Sequence, residues 1–331
     1  MRLGLLAAAR ITTKAVVDPA RLVPEVELAA VGARSLERAR ASAAEWDVPL
    51  AYGSYEELLA DQTIDAVYIA TPAALHKKWT LAALAAGKHV LCEKPFASNA
   101  VEAREMVAAG EASGLILMEA FHWRYHPYID QICSVVDSGA IGTVQRVEGY
   151  FNLPDGAIPR GDIRWDLSLG GGALMDLGCY AVQWVRWLVG EEPAVASATA
   201  DCPLPGVDGF LRAELSWPSG VTGAVECSMI APVDGLDISL TITGENGTIV
   251  AENPVAPQNG ATLVVETADG RTEHDVDITT TSYFHQLVAF LHAVESGVAP
   301  ITSGADAVAN MVVIDACYRA AGLEPRPSLA E

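Results

Sequence analysis

Three residues in this chain could move a proton between oxygen atoms: Lys94, Asp176 and Tyr180. Lys94 lies in Gly87-Lys88-His89-Val90-Leu91-Cys92-Glu93-Lys94-Pro95, where an apolar β-like run delivers a lysine and then a proline to a strand end. Leu81, Leu84 and Ala85 ahead of it recur at helical spacing and Gly87 supplies a stop, so the segment reads helix, turn, buried strand, abrupt loop. In open α/β sheets the crevice beyond the carboxyl ends of the strands is the usual ligand site, so a fixed charge stands where ligands bind. The plain alternative is a surface Lys-Pro turn.

Asp176 and Tyr180 follow Gly170-Gly171-Gly172-Ala173-Leu174-Met175, a glycine run that suggests a backbone approaching something closely before a helix opens. Four residues apart, the carboxylate and the phenol share one helix face and make a plausible acid/base pair. The same pair also reads as a buried phenol satisfied by a nearby carboxylate. As a base, an ordinary phenol of pKa about 10 must come down to about 7, which takes roughly 4 kcal/mol. One ammonium about 4 Å away, at an effective dielectric near 20, supplies about that much, so Lys94 alone suffices. Asp176 would push the other way, and its expected part is to orient Lys94 or a substrate hydroxyl. Cys92 and Cys179 flank these residues in sequence and read as packing.

The elements that must hold these groups alternate up to about residue 120. Apolar runs at Leu3-Leu6, Val26-Val31, Asp65-Ala70, His89-Cys92 and Ile116-Met118 are separated by helical patterns, among them helices from Ser35, Ala74 and Asn99. Such alternation implies a parallel sheet with helices on both faces, an α/β Rossmann-type domain over 1–122. Beyond Trp123, strand-like runs at Val144-Phe151, Val195-Thr199, Phe210-Trp217, Thr222-Met229, Ile238-Thr243 and Leu263-Glu266 follow one another without helices. They predict an α+β domain over 123–331 with a mainly antiparallel sheet. Phe284, Leu287, Val288, Leu291 and Val294 fit a helix, and a last helix spans about Ala305 to Ala320.

Together these segments resemble the glucose-fructose oxidoreductase / inositol dehydrogenase (Gfo/Idh/MocA) family over nearly the whole chain. The resemblance is carried by Thr71-Pro72 through His76, Glu93-Lys94-Pro95, Met118-Glu119-Ala120-Phe121 with Trp123-Arg124, and the glycine run with Asp176 and Tyr180. Many members carry histidine where this chain has Tyr180; tyrosine looks more like the glucose-fructose oxidoreductase and dimeric dihydrodiol dehydrogenase branch. The resemblance implies that Thr71, Pro72, Leu75 and His76 wall the nicotinamide half of a dinucleotide site. It also implies that Lys94, after Glu93, reaches both the cofactor ribose and the substrate hydroxyl, with a Lys94-Pro95 bond of the kind that can be cis. Trp123 and Arg124 resemble substrate-pocket residues, and Arg164 is a further candidate.

The dinucleotide fingerprint falls on Ala7-Ala8-Ala9-Arg10-Ile11-Thr12, where none of the three key positions is glycine. The first glycine normally permits the tight turn and the second lets the backbone approach the pyrophosphate. Ala9 is familiar in the branch this chain resembles, whereas Ala7 departs from it. If that position needs a positive φ, alanine costs roughly 1–2 kcal/mol. After the second strand, Ala33-Arg34-Ser35 replaces the acid that would grip a ribose 2′-hydroxyl. Arg34 suits a 2′-phosphate, with Arg38 one helical turn on, so NADP(H) is favoured over NAD(H).

Composition sets the remaining bounds. With 331 residues, 51% of them hydrophobic, the chain can build two domains with real cores. Its formal net charge of −21 disfavours nucleic acid and anionic membranes as partners. The six cysteines are dispersed, without zinc spacing or a Cys-x-x-Cys, which fits reduced thiols in a cytoplasmic protein and no metal. Met1-Arg2-Leu3-Gly4-Leu5-Leu6-Ala7-Ala8-Ala9 mimics a short signal peptide but serves better as a first strand and turn. No apolar stretch approaches the roughly 20 residues of a membrane span.

These observations lead to one expectation: an NADP-dependent oxidoreductase interconverting a secondary alcohol and a ketone on a sugar, cyclitol or cyclic diol. Its catalytic residues are Lys94, Tyr180 and Asp176, and as the resemblance suggests, its second-domain sheet supplies the face of a homo-oligomer, dimer or tetramer. Two alternatives stand beside it: a non-catalytic dinucleotide- or sugar-binding regulator, and an isomerase or hydrolase that cycles a retained cofactor.

Overall fold

A computed structural model describes residues 1–329, which divide into two compact units. The first comprises Met1–His122 with Tyr283–Val308, and the second Trp123–Ser282 with the chain from Ala309 onward. The last two residues of the predicted second domain lie outside the described ones.

The first unit is built on a six-stranded sheet of β1 (Arg2–Leu6), β2 (Glu27–Gly32), β3 (Leu50–Tyr52), β4 (Ala66–Ile69), β5 (His89–Cys92) and β6 (Leu117–Glu119). All pairings are parallel, in the order β3-β2-β1-β4-β5-β6. This is the doubly wound dinucleotide-binding order, whose switch point lies between β1 and β4. Every residue of β4 is buried, as expected of a strand covered on both faces. The helices on those faces are α1 (Asp18–Ala20), α2 (Leu36–Trp46), α3 (Tyr55–Ala60), α4 (His76–Ala85) and α5 (Ala100–Ser113). Side-chain caps start α2 and α5: Ser35 Oγ accepts from Arg38 N at 3.3 Å, and Asn99 Oδ1 accepts from Val101 N and Glu102 N at 3.0 and 3.1 Å. Each such cap is worth about 1 kcal/mol.

A single cut after residue 122 misplaces one segment, because Tyr283–Val308 belongs with the first unit. Its anchor is Thr302. Glu119 N donates to Thr302 O at 2.8 Å and Thr302 Oγ1 donates back to Glu119 O at 2.7 Å, so this segment satisfies edge-strand groups of β6.

The second unit is an eight-stranded sheet in the order β14-β13-β12-β11-β7-β10-β9-β8. Its strands are β7 (Val144–Pro154), β8 (Ala194–Asp201), β9 (Phe210–Ser216), β10 (Thr222–Ala231), β11 (Asp237–Gly244), β12 (Gly247–Glu252), β13 (Thr262–Thr267) and β14 (Gly270–His274). Every pairing is antiparallel except β7 with β10. The helices are α6 (Pro127–Asp137) and α7 (Cys179–Val189); α8 (Ser282–Ser296) lies at the return to the first unit and α9 (Ala305–Ala320) at the return to the second.

Helix α7 lies directly on the sheet. A Cβ on Gly149 would stand 3.1 Å from the Ala181 carbonyl oxygen, and one on Gly178 would stand 2.8 Å from Cys227 Sγ. The other face is polar: Arg146 pairs with Glu148 and Glu214 at 3.0 and 2.9 Å, and Arg212 with Glu214 and Glu226 at 3.0 Å each. All six cysteines are free thiols. No helix of the described residues is long and apolar enough to cross a membrane.

Candidate active site

In the first unit the expected site residues gather at the carboxyl ends of β1, β2, β4 and β5. Ala7, directly after β1, takes φ 90° and donates its N–H to Gly32 O at 3.0 Å. The turn therefore adopts the left-handed geometry that the usual glycine would accept freely, at the alanine cost of roughly 1–2 kcal/mol. Ala8 O accepts from Arg38 Nη2 at 2.9 Å, which brings that guanidinium over the turn. Arg10 is exposed and Ala9 and Ile11 half-buried; the chain then enters a π turn at Thr13–Val17, a geometry frequent at functional sites.

Arg34, Ser35 and Arg38 are all exposed beyond β2. Burial pushes the Tyr55 phenol up while Arg34 and Arg38 pull it down, which puts both cations near one ring. A dinucleotide fits this edge. The hydroxyls of Thr12 and Thr71 are buried without a hydrogen-bond partner, two polar groups left for a ligand to satisfy. The exposed arginines supply charge for phosphate in an otherwise acidic chain.

Two residues expected to contact cofactor, His76 and Glu93, make hydrogen bonds to protein. His76 is buried, with Nδ1 2.9 Å from Pro95 O and Nε2 2.8 Å from Thr71 O. Burial lowers its pKa, while the backbone carbonyls beside the ring pull it the other way. It staples the Thr71-Pro72 strand end to the Lys94-Pro95 turn, whose peptide bond is cis. Glu93 accepts from the buried Tyr68 hydroxyl at 2.6 Å and from the Lys94 N–H at 3.2 Å, which fixes the turn beneath Lys94. Thr71 itself is buried, while Pro72, Leu75 and Lys94 are half-buried.

In the second unit, a π turn at Leu174–Gly178 runs into α7 and carries Asp176 and Tyr180. Asp176 Oδ2 accepts from Arg164 Nε at 2.6 Å, and Asp162 Oδ1 accepts from Arg164 Nη1 at 3.0 Å. The carboxylate beside it raises the Arg164 pKa. Asp176, expected to orient Lys94 or a hydroxyl, carries an ion pair with Arg164. Tyr180 is buried, its ring 5.7 Å from that of Phe151 and 6.3 Å from that of Trp184.

Trp123 offers no open wall. It is fully buried, its indole N–H donates to Gln183 Oε1 at 2.7 Å, and its ring meets Trp184 and Trp187 edge-on. Arg124 stacks over Trp187, 4.7 Å from the ring centre. Lys94 thus belongs to the first unit and Arg164, Asp176 and Tyr180 to the second. Sequence reasoning missed His76 and Glu93 as braces, and the partner of the glycine run, Asp208, whose Oδ2 accepts from Leu174 N at 2.7 Å. Among the described residues no group of three or more His, Cys, Asp or Glu side chains is placed to hold a metal ion.

Comparison with known proteins agrees with this architecture. Residues 3–121 match the GFO/IDH/MocA model described as an oxidoreductase family with an NAD-binding Rossmann fold, and residues 129–250 match the GFO/IDH/MocA C-terminal domain. The chain is 41% identical to a D-xylose 1-dehydrogenase (NADP(+)) of Haloferax volcanii, covering 97% of each. It is 38% identical over 69% of its length to trans-1,2-dihydrobenzene-1,2-diol dehydrogenase of Sus scrofa, covering 67% of that protein. Among solved structures, the 3-ketoreductase KijD10 of Actinomadura kijaniata, in complex with NADP and TDP-benzene, superposes with a TM-score of 0.85 at 26% identity and 97% coverage of both chains. The chain belongs to the GFO/IDH/MocA oxidoreductase family.

Proposed function

We propose that this protein is an NADP-dependent dehydrogenase or reductase that interconverts a secondary alcohol and a ketone on a sugar, cyclitol or cyclic diol. The observation that carries the reading is the likeness along 97% of the chain to an NADP-dependent xylose dehydrogenase. Arg34 and Arg38, standing where an acid would grip a ribose hydroxyl, support the same cofactor. When bound, NADP(H) takes up or gives back the substrate hydride at its nicotinamide C4. Tyr180 takes the hydroxyl proton as the carbonyl forms and returns it in the reverse direction. Lys94 favours the ionised phenol and holds the reacting oxygen, while Arg164 keeps Asp176 paired and fixed. Arg34 and Arg38 bind the 2′-phosphate. The polar face of the eight-stranded sheet is the contact we assign to a homo-oligomer.

The test is a panel of aldoses, cyclitols and cyclic diols followed by NADPH absorbance, with mass spectrometry of any retained nucleotide. Turnover with NADP and a member of the panel is expected. Bound nucleotide without net redox on any substrate would favour a regulator or a redox-cycling enzyme.

Two substitutions test the cofactor half. Charge-assisted hydrogen bonds to phosphate are worth roughly 1.5–3 kcal/mol, so NADP should bind about ten- to a hundredfold tighter than NAD. Arg34→Ala is expected to erase most of that difference in a calorimetric titration; equal affinities in the wild type would end the idea. At Ala7, relief of the positive φ predicts that Ala7→Gly tightens NADP(H) binding by up to about tenfold. A dissociation constant that does not improve would show that binding carries none of the strain.

A further inference from the structure

The glycine run before the Asp176 helix does not lie against open space. Gly172 takes φ 135°, and a Cβ there would overlap Asp208 Oδ1 and Arg326 Nη2 and stand 3.0 Å from the Tyr318 hydroxyl. One on Gly171 would stand 2.6 Å from the Arg164 carbonyl oxygen. The backbone is glycine here because it passes against a buried cluster. Asp208, Tyr318 and Arg326 are each no more than 1% exposed.

We propose that Asp208 and Arg326, the latter carried on the C-terminal tail, form a clamp that positions the helix entrance bearing Asp176 and Tyr180. Both are positioning residues, and the inference rests on the reading of Tyr180 as the proton-transfer group. The N–H groups that open a helix lack partners within it, and a carboxylate is the preferred neighbour there. Asp208 serves two of them: Leu174 N donates to its Oδ2 at 2.7 Å, and Ala173 N donates to its carbonyl oxygen at 2.8 Å.

Arg326 pairs with Asp208 Oδ1, and its fork also grips backbone. Nε donates to Gly171 O at 2.6 Å and Nη1 to Gly206 O at 3.0 Å, while the guanidinium sits 4.1 Å from the centre of the Tyr318 ring. The Tyr318 hydroxyl donates to Asp208 Oδ1 at 3.1 Å. From the same two glycines the network runs outward. Gly171 N donates to Asp166 O and Gly172 N to Arg164 O, both at 2.9 Å, and the Arg164 side chain holds Asp176. Arg326 therefore fixes the backbone that fixes Arg164, which fixes Asp176 one helical step before Tyr180.

Stability alone is a poor account of such a cluster, because apolar side chains of similar volume commonly replace a buried ion pair without loss. What the rigid fork adds is geometry, and a misplacement of about 1 Å can cost about a hundredfold in rate.

The test compares Arg326→Lys, which keeps the charge and loses the fork, with Asp208→Asn, Tyr180→Phe and the Arg326→Lys/Tyr180→Phe double variant, all in the full chain. For Arg326→Lys we expect kcat to fall about ten- to a hundredfold with a displaced pH profile, KM to move less, and the NADP(H) dissociation constant to hold. Amide exchange at Leu174 and Asp176, read without any turnover, should quicken. The double variant should be little slower than Tyr180→Phe alone. A fall in melting temperature with unchanged kcat, pH profile and local exchange would overturn the clamp, as would loss of fold in both Arg326→Lys and Asp208→Asn. A slow Tyr180→Phe beside a normal Arg326→Lys sinks the clamp alone, whereas a normal Tyr180→Phe sinks the reading of Tyr180 beneath it.

Discussion

Tyr180→Phe is expected to lower turnover by roughly 10²–10⁴, the usual span for general acid–base catalysis, with NADP(H) binding retained. The surroundings make this a clean experiment. The ring of Tyr180 packs beside Phe151 and Trp184, and phenylalanine preserves those contacts while removing only the hydroxyl. Truncation to alanine would instead empty a buried ring site at a cost of about 3–5 kcal/mol, mixing stability with chemistry. Steady-state kinetics over a pH range, together with a cofactor titration, checks the outcome. Near-normal turnover with the wild-type pH profile would rule out Tyr180 as the proton-transfer group.

The first unit was the more legible because its signals are local. Ser35 and Asn99 mark helix starts by their own side chains, and β4 and β5 are short apolar runs. The elements that escaped notice lack such marks. β3 is three residues long and not buried, too short to show a period, and β14 is polar and almost wholly exposed. β12 and α6 are likewise weakly marked beside stronger neighbours. The parallel pairing of β7 with β10 depends on register between strands far apart in the chain, which no local pattern encodes. The same holds for Tyr283–Val308, whose place depends on two backbone-linked bonds between Thr302 and Glu119.

The site was legible in residue type and less so in partnership. The fingerprint turn leaves open whether Ala7 needs a positive φ, and the structure gives it one. The glycine run was read as making room for a close approach, but what approaches, Asp208 with Arg326, comes from remote sequence. Trp123 is a different case: an indole suits a core as well as a ligand face, and here it is fully buried and donates to Gln183. His76 and Glu93 were read as ligand contacts because they sit at the ligand edge. Their hydrogen bonds turn inward, to Pro95, Thr71, Tyr68 and the Lys94 backbone.

That inward bracing sets up the second large effect. Because Glu93 and His76 hold the Lys94-Pro95 turn through backbone atoms, Lys94→Ala removes the ammonium without removing those braces. On the proposed mechanism turnover is expected to fall by about a hundredfold or more, since the phenol would lose the charge proposed to ionise it. KM for the substrate should rise as well, because the same ammonium is proposed to hold the reacting hydroxyl. If Lys94 works through Tyr180, the Lys94→Ala/Tyr180→Phe enzyme should be no more than about tenfold slower than Tyr180→Phe alone, since groups acting as one unit are far from additive. Losses that multiply in the double variant would show that Lys94 acts on the substrate independently of the tyrosine, and the proton-transfer assignment would then rest on Tyr180 without its lysine.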